Sequence, residues 1–93
     1  MDDLETVTAT QFSKAMGAIL QRVLAGSRVA VTRYGVRIAI LEGAQHADVN
    51  AIPVSSTDLF HNLGHYLDRL VAGDTFLITR HGRAIAYVHN LHD

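Results

Sequence analysis

Apolar residues recur along the first half of the chain at two different periods. Phe12, Met16, Ile19, Leu20 and Val23 stand at i, i+4, i+7, i+8 and i+11, which gathers them on one side of an α-helix. Thr8 and Gln11 have the spacing of a capping box at its start, and Gly26 stands where a helix ends in a left-handed residue. Beyond the glycine, the runs RVAVT and VRIAIL flank Arg-Tyr-Gly, which predicts two strands and a three-residue hairpin loop. In that loop Gly35 takes the bulge position after a type I turn. An extended stretch ending at Val7 precedes the helix, so the predicted order is β-α-β-β.

The same order returns 47 residues later. Leu59, Leu63, Tyr66, Leu67 and Leu70 form the second stripe, Ser55 and Asp58 its start, and Gly73 its end. TFLIT and RAIAYV then flank Arg-His-Gly with Gly82 last. Laid over each other without a gap, residues 7–43 and 54–90 share twelve identities, among them Thr10/Thr57, Gly17/Gly64, Arg22/Arg69, Thr32/Thr79, Arg33/Arg80 and Gly35/Gly82. The chain is an internal duplication.

Neither copy is large enough to stand alone. A unit of about 40 residues buries too little of its surface to be stable unaided. Each closing strand is also apolar on both faces: Ile38 and Ile40 would look one way with Ala39 and Leu41 the other, and Ile85 and Tyr87 would oppose Ala86 and Val88. One helix covers one face, so the other copy is the simplest source of the remaining cover. Segment 44–53, AQHADVNAIP without its leading Gly43, is polar, holds the only proline, and reads as the connector. The expected fold class is α+β. Two tandem β-α-β-β units, 7–43 and 54–90, are expected to form one pseudo-twofold domain over residues 1–93 with a shared sheet and core.

Composition narrows the function. Of the residues, 48% are apolar and 18% charged, which suits a globular chain. Cysteine is absent, which excludes disulfides and thiolate chemistry and accords with a reducing cytoplasm. No run approaches the length of a membrane span, and the acidic start MDDLE is unlike a signal peptide, so a cytoplasmic protein without membrane contact is expected. No phosphate loop, nucleophile motif or forced carboxylate pair is present, so neither enzyme activity nor a cofactor is expected. His61 and His65 have a spacing that suits a metal, but the sequence fixes no third ligand near them, and no metal site is expected. Net charge is −1, against indiscriminate coating of nucleic acid, yet the distribution is uneven. Lys14, Arg22, Arg28, Arg33 and Arg37 face only Glu42 in the first copy, whereas Arg69, Arg80 and Arg83 are balanced by Asp58, Asp68 and Asp74 in the second.

The succession of a cap, an amphipathic helix, Ala-Gly, an apolar strand closing in Thr-Arg, x-Gly and Ile-Ala resembles the N-terminal domain of the Phd/YefM antitoxin family, twice over, across nearly the whole chain. The resemblance implies a β-α-β-β unit that dimerises, operator binding by the dimer, and toxin neutralisation by a C-terminal extension that folds on the toxin. Here one chain would do the work of two, and it reaches Asp93 directly after the second unit, so the DNA-binding half of that work is the part expected.

The residues expected to meet double-stranded operator DNA follow from the predicted elements. Arg33 and Arg80 sit at the hairpin tips, where a guanidinium can reach phosphate or the edge of guanine. Thr10 and Lys14 lie in the first turns of one helix and Thr57 at the start of the other, with His61 as the counterpart of Lys14. Arg37 and Arg83 begin the strands after the tips. Arg22 and Arg69 read as solvated or ion-paired residues, and Tyr34, Tyr66 and Tyr87 as packing residues. The leading expectation is an antitoxin-like transcriptional regulator on an imperfect palindrome. The alternatives are an interaction or self-assembling module that has lost DNA binding, further homo-oligomerisation included, and an antitoxin that neutralises a cognate toxin through its folded body.

Overall fold

The computed structural model describes residues 4–90. Its elements are β1 (Leu4–Thr8), α1 (Ala9–Lys14), α2 (Met16–Leu24), β2 (Arg28–Arg33), β3 (Val36–Glu42), a single 3₁₀ turn (Ala44–His46), β4 (Ile52–Ser55), α3 (Ser56–His61), α4 (Leu63–Val71), β5 (Phe76–Arg80) and β6 (Arg83–Asn90). The strands form one mixed sheet in the order β1-β2-β3-β6-β5-β4, and with the helices they make an α+β fold. The order reads the same from either edge: the outer pairs β1/β2 and β4/β5 are parallel, and every other pair is antiparallel.

The join between the halves is the antiparallel pair β3/β6. Leu41 pairs with Val88, its own counterpart at the 47-residue offset, while Ile40 pairs with His89 and Glu42 with Tyr87. Exchanging the halves converts each of the last two pairs into the other, as a twofold axis through Leu41 and Val88 requires. Helix α2 packs on β6 and α4 on β3, so each half's helix covers the other half's central strand. Phe12, Ile19, Leu20 and Val23 join Leu59, Leu67, Leu70, Phe76 and Leu41 in one buried cluster. The Tyr66 and Phe76 rings meet in a T-shaped pair with centroids 5.1 Å apart. At about 25 cal/mol per Å² of apolar surface, this shared burial is the main force joining the halves.

Local structure follows the sequence closely at the helix starts. Thr8 accepts from the Gln11 N–H at 3.0 Å, and Gln11 Oε1 accepts from the Thr8 N–H at 2.8 Å, which completes the capping box. Ser55 accepts from the Asp58 N–H at 3.0 Å. The helices end at Gly26 and Gly73 with φ +113° and +109°, conformations that cost a side-chain-bearing residue dearly.

Four expectations are corrected. Each predicted helix is two helices, broken at Ala15 (φ −124°, ψ 30°) and Asn62 (φ −131°, ψ 34°). Gly17 and Gly64, two residues beyond each break, lower the local preference for helix. The units are therefore β-α-α-β-β.

The hairpin loops have two residues, not three. Arg33 pairs with Val36 and Arg80 with Arg83, and Tyr34/Gly35 and His81/Gly82 carry φ of 54°/77° and 52°/77°, the two positive angles of a type I′ turn. The bulge lies elsewhere. Register shifts after Val31 and Ile78 leave Ile38 and Ile85 as extra residues in β3 and β6. The bulge resets the alternation, so Ile38 and Ile85 pack against the main cluster, while Ile40 and Tyr87 are buried outside it. The isoleucines thus do not share a face with the residues two places on.

The connector is also shorter than 44–53. The Ile52 N–H bonds the Thr75 carbonyl at 2.9 Å, and Pro53 lies within β4 opposite Leu77. An edge strand accommodates proline because one side of its backbone needs no partner. The 3₁₀ turn of the connector packs against β6.

Candidate nucleic-acid interface

Two adjoining open clefts lie where the helix starts meet the strand ends. One, of about 330 Å³, is lined by Ser13, Lys14, Gly17, Ser56, Thr57 and Arg80 among others. The second, of about 310 Å³, is lined by Thr10, Ser13, Lys14, Arg33 and Gly64 among others. Thr57, Arg80 and Gly17 are the counterparts of Thr10, Arg33 and Gly64, so the clefts are copies of each other, and Lys14 stands in the wall of both. These volumes are at the low end for small-molecule pockets, which span roughly 300–1,000 Å³ and enclose their ligand. Open clefts with cations and hydroxyls along one ridge suit a polyanion that passes over them.

Five of the seven residues expected at a DNA surface come together here: Thr10, Lys14, Arg33, Thr57 and Arg80. The other two do not. Arg37 donates to the Thr6 hydroxyl at 3.0 Å, and strand alternation puts Thr6 on the face opposite Val7, away from the helices. Arg83 lines a separate cleft beside Gln21, Leu24 and Arg80. Ser13 and Ser56 belong to the ridge and were not expected. Both sit beside residues singled out for charge or repetition, and only the fold turns them toward the arginines.

The arginines are not equivalent. Because the turn has two residues, Arg33 closes a strand, and the tip itself is Tyr34, whose 92% exposure overturns its assignment to packing. Arg33 Nη1 donates to Asp68 Oδ1 on α4 of the other half at 2.5 Å, and its guanidinium lies 5.5 Å from the Tyr34 ring. The hydrogen bond to Asp68 holds the Arg33 pKa above its ordinary value, against a smaller opposing effect of desolvation. The counterpart of Asp68 is Gln21. Among the described residues, Arg80 and Lys14 have no carboxylate partner.

The remaining matched arginines are ion-paired within their own halves, each in a different way. Arg22 grips Glu5 through Nε at 3.1 Å and Nη2 at 2.7 Å. Arg69 Nε bonds Asp74 at 2.8 Å and lies 5.1 Å from the Phe76 ring. His61 and His65 meet the rings of Phe60 and Tyr66, and among the described residues no three His, Asp or Glu side chains converge. The Tyr66 hydroxyl donates to Asp58, and that bond, helped by desolvation and the carboxylate's charge, raises its pKa. Among the described residues no helix is long and apolar enough to cross a membrane.

No family model, curated protein or solved structure matches the chain.

Proposed function

We propose that the protein is a DNA-binding regulator in which one chain takes the place of a Phd/YefM-like dimer on an imperfect palindromic operator. The observation that carries this reading is the ridge itself: Lys14 shared by two symmetry-related clefts, with an arginine, a threonine and a serine or glycine repeated on either side. Lys14 and Arg80 position the duplex by charge-assisted bonds to phosphate, and the hydroxyls of Thr10 and Thr57 add neutral ones. A net charge of −1 leaves little long-range attraction, so binding depends on this local concentration of cations.

The test is titration of promoter fragments with the full chain at several salt concentrations. Affinity falls with salt with a slope set by the phosphates engaged, and Lys14→Ala weakens binding on every sequence while lowering that slope by about 1. Binding that ignores salt overturns the reading. It would favour the interaction module instead, for which the exposed Tyr34 and Val36 of the first hairpin are the surface.

A further inference from the structure

The two halves carry the same arginine in the same place and treat it differently. Arg33 has an aspartate across the junction at 2.5 Å, and its side chain is 25% exposed. Arg80 stands in the same relation to Gln21, and both line one cleft. Glutamine carries no charge, so Arg80 keeps its full attraction for an anion, whereas Arg33 must first give up a charge-assisted bond. Asp68 is itself 70% exposed, held neither by burial nor by another cation among the described residues.

We propose that Asp68 makes the grip on DNA asymmetric: it stands in for a DNA phosphate at Arg33, so that the chain holds its operator unequally, through Arg80 and Lys14 first. This rests on the DNA-binding reading and goes beyond it, because a symmetric pseudo-dimer would read both half-sites alike. Phosphate and Asp68 compete for one guanidinium. The half-site facing Arg33 is bound only to the extent that the phosphate displaces the carboxylate.

The residue that would move this asymmetry is already in the chain. Asp68→Gln gives α4 the residue that α2 has, and Gln21→Asp gives α2 the residue that α4 has. Binding to an operator-length duplex is measured by anisotropy across a salt series for the wild type, Asp68→Gln, Gln21→Asp, Arg33→Ala and Arg80→Ala. Asp74→Asn is the control, since it adds the same charge outside the ridge.

In the wild type, Arg80→Ala weakens binding about tenfold, the loss of one charge-assisted bond, and Arg33→Ala weakens it by a smaller factor. Asp68→Gln tightens binding about threefold or more at low salt, steepens the salt slope by about 1, and raises the effect of Arg33→Ala toward that of Arg80→Ala. Gln21→Asp does the reverse at Arg80. Thermal melts of each variant establish that it is folded.

Tightening by Asp74→Asn equal to that by Asp68→Gln overturns the proposal, because bulk charge then explains both. Equal effects of Arg33→Ala and Arg80→Ala in the wild type overturn it as well, while leaving DNA binding in place. Failure of the wild type and of Asp68→Gln alike to bind any fragment in a salt-dependent way removes the DNA reading itself. Binding that emerges only in Asp68→Gln overturns it too, because the wild type then has no grip through Arg80 and Lys14 for the carboxylate to make unequal.

Discussion

At the scale of the residue, the hairpin tips show backbone geometry deciding against side-chain preference. Tyr34 and His81 both sit at positive φ, a region that costs residues other than glycine, asparagine and aspartate about 1 kcal/mol or more. His81 is exposed, so its imidazole offers little burial in return. His81→Asn is therefore expected to raise the unfolding free energy by about 0.5–1 kcal/mol in urea titration; a fall would mean the ring contributes more than the backbone strain costs. Tyr66 gives a second test, through pH. Its pKa lies above the ordinary 10.0 because the neutral hydroxyl bonds Asp58, so the associated stabilisation is complete below pH 10.0 and is lost as pH climbs through the raised value. In a titration of tyrosinate absorbance, Tyr66→Phe is expected to remove a step above pH 10.0, and Asp58→Ala to lower it. An unchanged titration in both variants would sink this assignment.

At the scale of the element, helices as short as α1 and α3 depend on their ends. Six residues make too few internal hydrogen bonds to offset nucleation, so the caps and the packed faces must hold them. Thr8→Ala and Ser55→Ala are each expected to cost about 1 kcal/mol by chemical denaturation. The larger cost falls to Thr8, whose side chain completes a reciprocal box with Gln11 while Asp58 is occupied by Asn62 and Tyr66. Equal costs would show that Gln11 adds nothing. The caps, the apolar stripes, the glycine helix ends and the number of strands were legible in the sequence because each is set within a few residues. The helix breaks were not, since Ala15 is a strong helix former and only its surroundings bend it away. The bulges at Ile38 and Ile85 were also hidden, because an extra residue is defined by the strand opposite it.

At the scale of the whole molecule, the halves are joined by a pair that works only because the copies have diverged. Glu42 and His89 occupy the same place in the two copies, and they meet at the junction with His89 Nε2 2.5 Å from Glu42 Oε2. Arg28 Nε lies 3.6 Å from the other carboxylate oxygen, and the imidazole stacks on Tyr87 at 4.9 Å. A pair of identical chains would bring like against like here. His89→Glu restores that arrangement and is expected to destabilise the protein by about 1 kcal/mol, with the melting temperature recovering as salt screens the two carboxylates. Stability unchanged by the substitution would show that Arg28 alone neutralises the junction. Arg33 and Asp68 form another pair across the junction, one that divergence has left on a single side, and they connect the stability of the junction to the ridge proposed to meet DNA.

The sequence by itself determined the duplication, the α+β class, the order of elements short of the helix breaks, and the residues that would be exposed cations. These are matters of period, spacing and charge, which neighbours along the chain settle among themselves. Only the tertiary structure decided which of those cations stand together, that Lys14 serves two clefts, and that one of two matched arginines is held by a carboxylate 35 positions away. Whether a guanidinium is open to a ligand depends on what the fold brings opposite it, and no local pattern records that.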